Sequence, residues 1–439
     1  MFDHLRFAIN IDPESTRAYI VNPVAFTRKR KFSLYDFCTN IIFNQRKTLR
    51  NNIDTHLKYS VNPFESYTKQ SFSQQRLNID PAIFKEINLR YLKEIGYLNS
   101  KFNNPFFITF YGFRIYAFDG SRFDLINKEK TLNEFNFPEG YKKTPKVVFC
   151  AITDVLNNFM LDGILGQRGI GEMTLVHQNL RNCQPFINPE TSIFVGDRGF
   201  VSLELICRLI NMKTNFVIRL KKDSYTDERK DIISNDSPID INITKNRLKL
   251  FKDEELKEIF QDQECLNLRI VTIELNSNKT EWLLTNLDEE TMSYEQINEI
   301  YDARWGIECT YKTLKQRLQI ENYTAQSKIG IKQDIYSTFI TYNIFAYSRI
   351  FLNLIINRVM RRKGNKGYYE VEQSNLISRL KIDLFEVIVN PNKEKIRIFV
   401  KNLIEKCTKS PNKARPPRKY ERNKKTSTLK NRDNYKNCF

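Results

Sequence analysis

Between residues 106 and 220 the chain carries five apolar runs: Phe106–Phe118, Lys146–Thr153, Phe159–Leu165, Ser192–Val195 and Asn215–Leu220. Each is rich in Phe, Ile or Val and bounded by turn residues, the texture of strands in a mostly buried sheet. Ser202–Met212 has helical spacing and separates the last two runs. Strands come first, then helix and strand alternate, which predicts an α/β or mixed α+β fold.

The material for a substantial core is present, since 41% of the 439 residues are hydrophobic and 13% aromatic. That excludes wholesale disorder. At about 150 residues per domain, the length predicts two or three domains or one core with insertions. Lys and Arg number 70 against 51 Asp and Glu, a formal +19, which favours a polyanionic partner, nucleic acid ahead of an anionic membrane. From Lys409 onward eleven Lys and Arg face only Glu421 and Asp433, a net +9, and this tail is expected to be disordered when unbound. The most lipid-like stretch, 335–356, is broken by Asn343, Ser348, Arg349 and Asn353, so it reads as a buried helix and not a membrane span. Eight scattered cysteines without a C-x-x-C, and three histidines, argue against structural zinc and against a disulfide framework. With no signal-peptide pattern after Met1, they predict a reducing, cytoplasmic setting.

The domain plan follows from these textures. Residues 1–103 read as a helical N-terminal region that grips DNA or simply caps the core. It has helices predicted over Ser33–Gln45 and Gln74–Leu98, and the basic run Arg28-Lys29-Arg30-Lys31 precedes the first. Residues 104–222 form the first part of the core. Residues 223–290 are polar at first and end in a hairpin, Leu268–Leu275 and Glu281–Leu287 about the turn Asn276–Lys279, which marks a β-rich insertion. Residues 291–365 complete the core, 366–408 form a C-terminal helical region, and 409–439 are the basic tail.

Ser293-Tyr294-Glu295-Gln296 is a capping box that opens the clearest helix, with apolar positions at Ile297, Ile300, Ile307, Tyr311, Leu314 and Leu318. At about 100° per residue on a continuous helix, Tyr301, Arg304, Glu308 and Lys315 fall within an arc of about 60°, along about 21 Å. Taken alone, Arg304 and Glu308 are an ordinary i,i+4 pair. Asp119 and Asp197, each followed closely by glycine at the end of an apolar run, are equally ordinary turn starters. Together, two strand-end carboxylates and one on a helix edge are what two-metal phosphoryl transfer requires, with oxygen ligands for Mg²⁺ or Mn²⁺ and no His/Cys cluster for zinc.

The spacing Tyr301-x2-Arg304-x3-Glu308-x6-Lys315 resembles the signature helix of DDE transposases of the IS4 insertion-sequence group. Asp197-Arg198-Gly199-Phe200 resembles that family's second-aspartate motif, and Asp119-Gly120-Ser121 its first. The strand Trp282–Leu287 before the helix is also similar, while Gly306 and Cys309 depart from the usual pattern. The resemblance implies a ribonuclease H-like core in which Asp119, Asp197 and Glu308 bind two Mg²⁺ ions (Mn²⁺ as substitute). Tyr301, Arg304 and Lys315 would then hold phosphates, with Arg198 and Arg28–Lys31 as further DNA contacts. The implied activity is cut-and-paste transposition: binding terminal inverted repeats, strand cleavage, a hairpin step and joining to target DNA, with a homodimer on two ends. Trp282 reads as a packed strand residue before it reads as a base-stacking wedge. The competing readings are a catalytically silent DNA-binding protein on the same scaffold, a cellular two-metal nuclease, or an RNA-binding structural protein.

Overall fold

Four of the five apolar runs become strands within one residue of their expected limits in the computed structural model, which describes residues 2–27, 32–44, 46–59, 66–98, 104–275 and 279–414. They are β2 (Lys146–Asp154), β3 (Phe159–Leu165), β4 (Ser192–Gly196) and β5 (Asn215–Arg219). The fifth is displaced, because β1 runs over Arg114–Asp124 and not Phe106–Phe118. The cause is local: Tyr111 and Gly112 both take positive φ, and Phe110 and Phe113 exchange backbone hydrogen bonds of 2.8 and 2.9 Å across them. Two successive positive-φ residues make a tight reversal that breaks the run before the strand starts. Asp119 therefore sits in the middle of β1, not at its end.

The 223–290 block adds β6 (Asp236–Asn242), β7 (Cys265–Leu275) and β8 (Lys279–Thr285). The β7–β8 pair is antiparallel as the hairpin reading requires, and its connection, 276–278, lies outside the described residues. One sheet results, in the order β3-β2-β1-β4-β5-β8-β7-β6. β1, β4 and β5 are parallel, β2 and β3 form an antiparallel hairpin, and β8 joins β5 antiparallel. The fold is mixed α+β, and β3-β2-β1-β4-β5 has the five-strand arrangement, an antiparallel hairpin beside three parallel strands, expected for the core. The inserted strands do not stand apart; they lengthen the same sheet.

The chain divides into two compact units, one of residues 97–123 and 147–311, the other of 1–96, 124–146 and 312–439. In the first, the helix Tyr294–Ala303 lays Ile297, Ile300 and Tyr301 on a layer built from Ile115, Val195, Val217, Val271 and Leu283. The Ser293/Gln296 capping box is present at its start.

The second unit is helical. Its long helix Lys328–Arg362 is apolar and long enough to cross a membrane by length and composition, but most of that stretch is buried inside the unit, as expected of a core helix. Arg76 and Arg46 are buried against it, Arg76 on the Asp334 carboxylate at 3.1 Å and Arg46 on the Asp334 carbonyl at 3.2 Å. The helix expected over Ser33–Gln45 spans Leu34–Ile42 behind a Ser33/Asp36 capping box. The one expected over Gln74–Leu98 is two, Lys69–Arg76 and Ala82–Glu94. Between them a β-bridge from Ile79 to Ile20 pulls the backbone out of helical geometry. The run Arg28–Lys31 and the tail from 415 onward lie outside the described residues.

Candidate functional site

The parallel β1–β4 ladder closes at Ala117↔Val195. Two residues beyond that pair stand Asp119, within β1, and Asp197, just past the end of β4. Glycine at 196 is a packing requirement, since a Cβ there would lie 2.6 Å from Cε2 of Phe118. The Phe118 ring in turn meets Phe200 edge-on at 5.2 Å, which anchors the short turn Arg198–Phe200. Asp197 caps that turn by accepting the Arg198 N–H at 2.7 Å.

Asp119 is largely withdrawn from water. Burial pushes its carboxyl up to about 6, and the carboxylates of Glu172 and Glu308 add to the rise; the Gly120 N–H and Arg304 work against it. The Gly120 N–H donates to its Oδ1 at 2.8 Å. Its backbone carbonyl accepts from the Tyr311 hydroxyl at 2.6 Å and from Cys150 Sγ at 3.1 Å. Tyr311 lies three residues after Glu308, on the same side of the helix. Its hydroxyl thus fastens the helix that bears Glu308 to the strand that bears Asp119.

That helix is not continuous with the capped one. The chain forms Tyr294–Ala303, breaks at Arg304, resumes over Trp305–Lys312 and ends in a π-helical turn over Thr313–Arg317. The arc computed for an unbroken helix is therefore corrected on two counts. At the break, the Arg304 N–H bonds to Tyr301 and Asp302 instead of the carbonyl four residues back. The helix then runs close to the β2–β3 turn: a Cβ at Gly306 would lie 2.9 Å from Cβ of Val155. The unusual glycine in the signature is what permits this approach. Lys315 lies inside the π turn and belongs to the helical unit, 3.7 Å from Glu321.

Tyr301, Arg304 and Glu308 are held together by contacts the break allows. Arg304 donates to Glu308 Oε1 at 3.1 Å and lies over the Tyr301 ring at 5.7 Å. Tyr301 donates to Asp197 Oδ1 at 3.4 Å. Burial works against the charge of Arg304, but Tyr301, Asp197 and Glu308 together hold it on. Its Nε–H is buried without an acceptor among the described residues. Burial also raises the Tyr301 hydroxyl, assisted by Asp197.

Beside Asp197 a cavity of about 800 Å³ opens, lined by Arg198, Arg219, Lys221, Lys222, Glu281 and Trp282 among others. Arg219 pairs with Glu281 at 2.5 Å and stands 3.9 Å from Asp197. Arg198 is exposed. Trp282 is a strand residue whose ring is covered by Arg229 at 4.4 Å. Sequence reasoning passed over Arg219, Lys221 and Lys222, although a signal existed, because Arg219 ends β5 and the two lysines follow it as Asp197 follows β4, and ligands gather at the carboxyl ends of parallel strands. It also passed over Glu172, which is remote in sequence from every motif, and it took Tyr311 for core packing alone.

The donors around Asp119 are carboxylate oxygens, the chemistry of hard divalent cations. Glu172 and Glu308 raise the Asp119 carboxyl, as like charges nearby do. Among the described residues no three His, Cys, Asp or Glu side chains are gathered closely enough to enclose one. Arg304 provides the positive charge in this arrangement.

The family described as the transposase DDE domain matches residues 118–344, more than half of the chain. A Synechocystis sp. protein named as a transposase for insertion sequence element IS4SA is 29% identical over 158 residues. That stretch covers 36% of this chain and 41% of the relative. A cryo-EM structure of a piggyBac transposase synaptic complex with hairpin DNA aligns with 92% of this chain and 85% of its own, at 10% identity and a TM-score of 0.39, a likeness too low to bear on fold or function.

Proposed function

The chain belongs to the family of transposase DDE domains, and from that membership we propose that it catalyses cut-and-paste transposition of its own insertion sequence. It would cleave DNA at terminal inverted repeats and transfer the freed strand to target DNA. The observation that carries this reading is Arg304, half-buried, bonded to Glu308 and under the electrostatic influence of Asp119 and Asp197, with a buried Nε–H that lacks an acceptor among the described residues. A buried donor without a partner is costly, and a phosphate oxygen is an acceptor of the right charge and geometry for a guanidinium.

In this reading Asp119, Asp197 and Glu308 would hold divalent cations of the Mg²⁺ or Mn²⁺ class, which would supply Lewis acidity for phosphoryl displacement. The chain's own residues do the rest. Tyr311 sets the Glu308 helix against the Asp119 strand, which limits how far the two carboxylates separate. Arg304, relieved of part of its pairing to Glu308, binds the phosphate beside the cleaved bond, and Tyr301 donates a further hydrogen bond. Lys315 contributes another phosphate contact. The cations Arg198, Arg219, Lys221 and Lys222 line a path for the DNA backbone next to Asp197, and the basic run Arg28–Lys31 and the C-terminal tail add affinity that weakens with salt. Two protomers would assemble on the two ends.

Asp197→Asn tests the assignment. It should abolish Mg²⁺-dependent nicking of DNA carrying the element's terminal repeats while binding to those ends stays within a few fold. Nicking at the wild-type rate overturns the assignment of Asp197. Absence of nicking by the wild-type protein itself favours the silent DNA-binding reading.

A further inference from the structure

Resting on the reading above, we propose that Glu281, on the inserted strand β8, is a positioning residue: it holds the Arg219 guanidinium at the wall of the cavity beside Asp197, where that guanidinium meets a phosphate of the DNA backbone. The placement starts from strand alternation. Val195, Val217 and Leu283 pack in one layer with Ile297, Ile300 and Tyr301 of the covering helix. Asp197, Arg219 and Glu281 each lie two residues from one of those three strand residues, so the period of two brings them to the same face. β8 runs antiparallel to β5, with Leu283 opposite Arg219. Glu281 is therefore the diagonal neighbour of Arg219, within reach of long side chains.

Nη2 of Arg219 meets Oε1 of Glu281 at 2.5 Å, while its Nη1 stands 3.9 Å from Oδ1 of Asp197, too far for a hydrogen bond. Of the two carboxylates at hand, the guanidinium is bound by the one from the insertion and only faces the one from the core. It also reaches Tyr301: burial raises the Tyr301 hydroxyl and Asp197 adds to the rise, and Arg219 works against both by hydrogen bond and by charge. A cross-strand ion pair is ordinary in itself, but a pair that served the sheet alone would need neither Asp197 nor Tyr301 beside it. The cavity that the pair borders also carries Arg198, Lys221 and Lys222, the chemistry of a polyanion path. An acid in such a path repels DNA unless it serves a cation there. Glu281 does so by fixing the guanidinium before the phosphate arrives, which lowers the ordering that binding requires.

The test is binding of the full-length protein to repeat-end duplex DNA, with a chelator present, titrated at several salt concentrations. The sign of the effect is diagnostic. Removing an acid that merely stands near DNA raises the local positive charge and strengthens binding, whereas removing one that positions a cation weakens it. Glu281→Ala should weaken binding by about fivefold near 0.1 M salt and lower the slope of log affinity against log salt by about one, as loss of one phosphate contact does. Arg219→Gln should do the same, and in that background Glu281→Ala should weaken binding no further. Glu281→Asp keeps the charge but falls one methylene short of Arg219, so it should weaken binding too, and it carries the test if Glu281→Ala fails to fold. Binding at wild-type strength or tighter in both Glu281 variants overturns the positioning role. So does a loss in Glu281→Ala that is equally large without Arg219. Wild-type affinity and slope in Arg219→Gln remove the phosphate contact, and the role of Glu281 with it, while leaving the functional reading intact. A wild-type protein that does not bind repeat ends overturns that reading itself.

Discussion

Replacing Asp119 with asparagine should stabilise the protein in the absence of divalent metal. Burial lifts the Asp119 carboxyl to about 6, against about 3.9 in an unfolded chain. The folded state therefore holds this proton more tightly than the unfolded state does. Between about pH 4 and pH 6 the unfolded chain has released the proton while the folded one keeps it, so stability falls as pH rises through that window. Above about 6 the loss is complete, and below about 4 both states are protonated and the contribution vanishes. Two pKa units correspond to roughly 3 kcal/mol, an upper limit on what the ionised side chain costs the fold at neutral pH. Asparagine keeps the shape, and its Oδ1 can still accept the Gly120 N–H now bonded at 2.8 Å, so the charge is what is removed. Urea unfolding with a chelator present, at pH 7.5 and at pH 4, provides the measurement. The variant should be more stable than wild type by up to about 3 kcal/mol at pH 7.5 and equal to it near pH 4. No gain at pH 7.5, or the same gain at both values, would refute the reasoning.

Other expected outcomes follow from the same contacts. Tyr311→Phe deletes the 2.6 Å bond to the Asp119 carbonyl and should cost about 1 kcal/mol of stability with a several-fold drop in nicking at unchanged end binding; an unaltered nicking rate means that the hydroxyl does not position the helix. Gly306→Ala gains about 1 kcal/mol of helix propensity, but its Cβ meets Val155 at 2.9 Å, and overpacking of this kind costs about 1–3 kcal/mol. Net destabilisation in chemical denaturation is expected, and a more stable variant contradicts the close approach. Arg304→Ala should lower the slope of log affinity against log salt by about one for repeat-end DNA, measured by titration at several ionic strengths; a wild-type slope removes the phosphate contact from its role.

Much of the sheet was legible because burial leaves a local mark: Lys146–Asp154, Phe159–Leu165 and Ser192–Gly196 are short apolar runs with turn residues at both ends. The strand that bears Asp119 was misplaced because Tyr111 and Gly112 reverse the chain inside a run that looks uniformly apolar, and positive φ at a tyrosine leaves no compositional trace. The capped helix start at Ser293 was readable from four residues. The break at Arg304 was not, and neither was the approach of Gly306 to Val155, about 150 residues earlier in the chain, because no helical periodicity encodes a neighbour so distant. The same holds for Tyr311, whose importance lies in the backbone carbonyl that it reaches. Motif spacing singled out Asp119, Asp197, Arg304 and Glu308. It did not tell that Arg304 would stand among the acids.

Because β8 pairs with β5 and carries β7 and β6 beyond it, the inserted segment is welded edge to edge to the strand that ends in Arg219. A pull on β6 crosses three strand spacings, about 14 Å, through backbone hydrogen bonds before it arrives at the guanidinium beside Asp197. Such a ladder resists shear far better than a flexible tether would. Anything that grips the outer hairpin thus has a stiff mechanical linkage to the neighbourhood of the second aspartate.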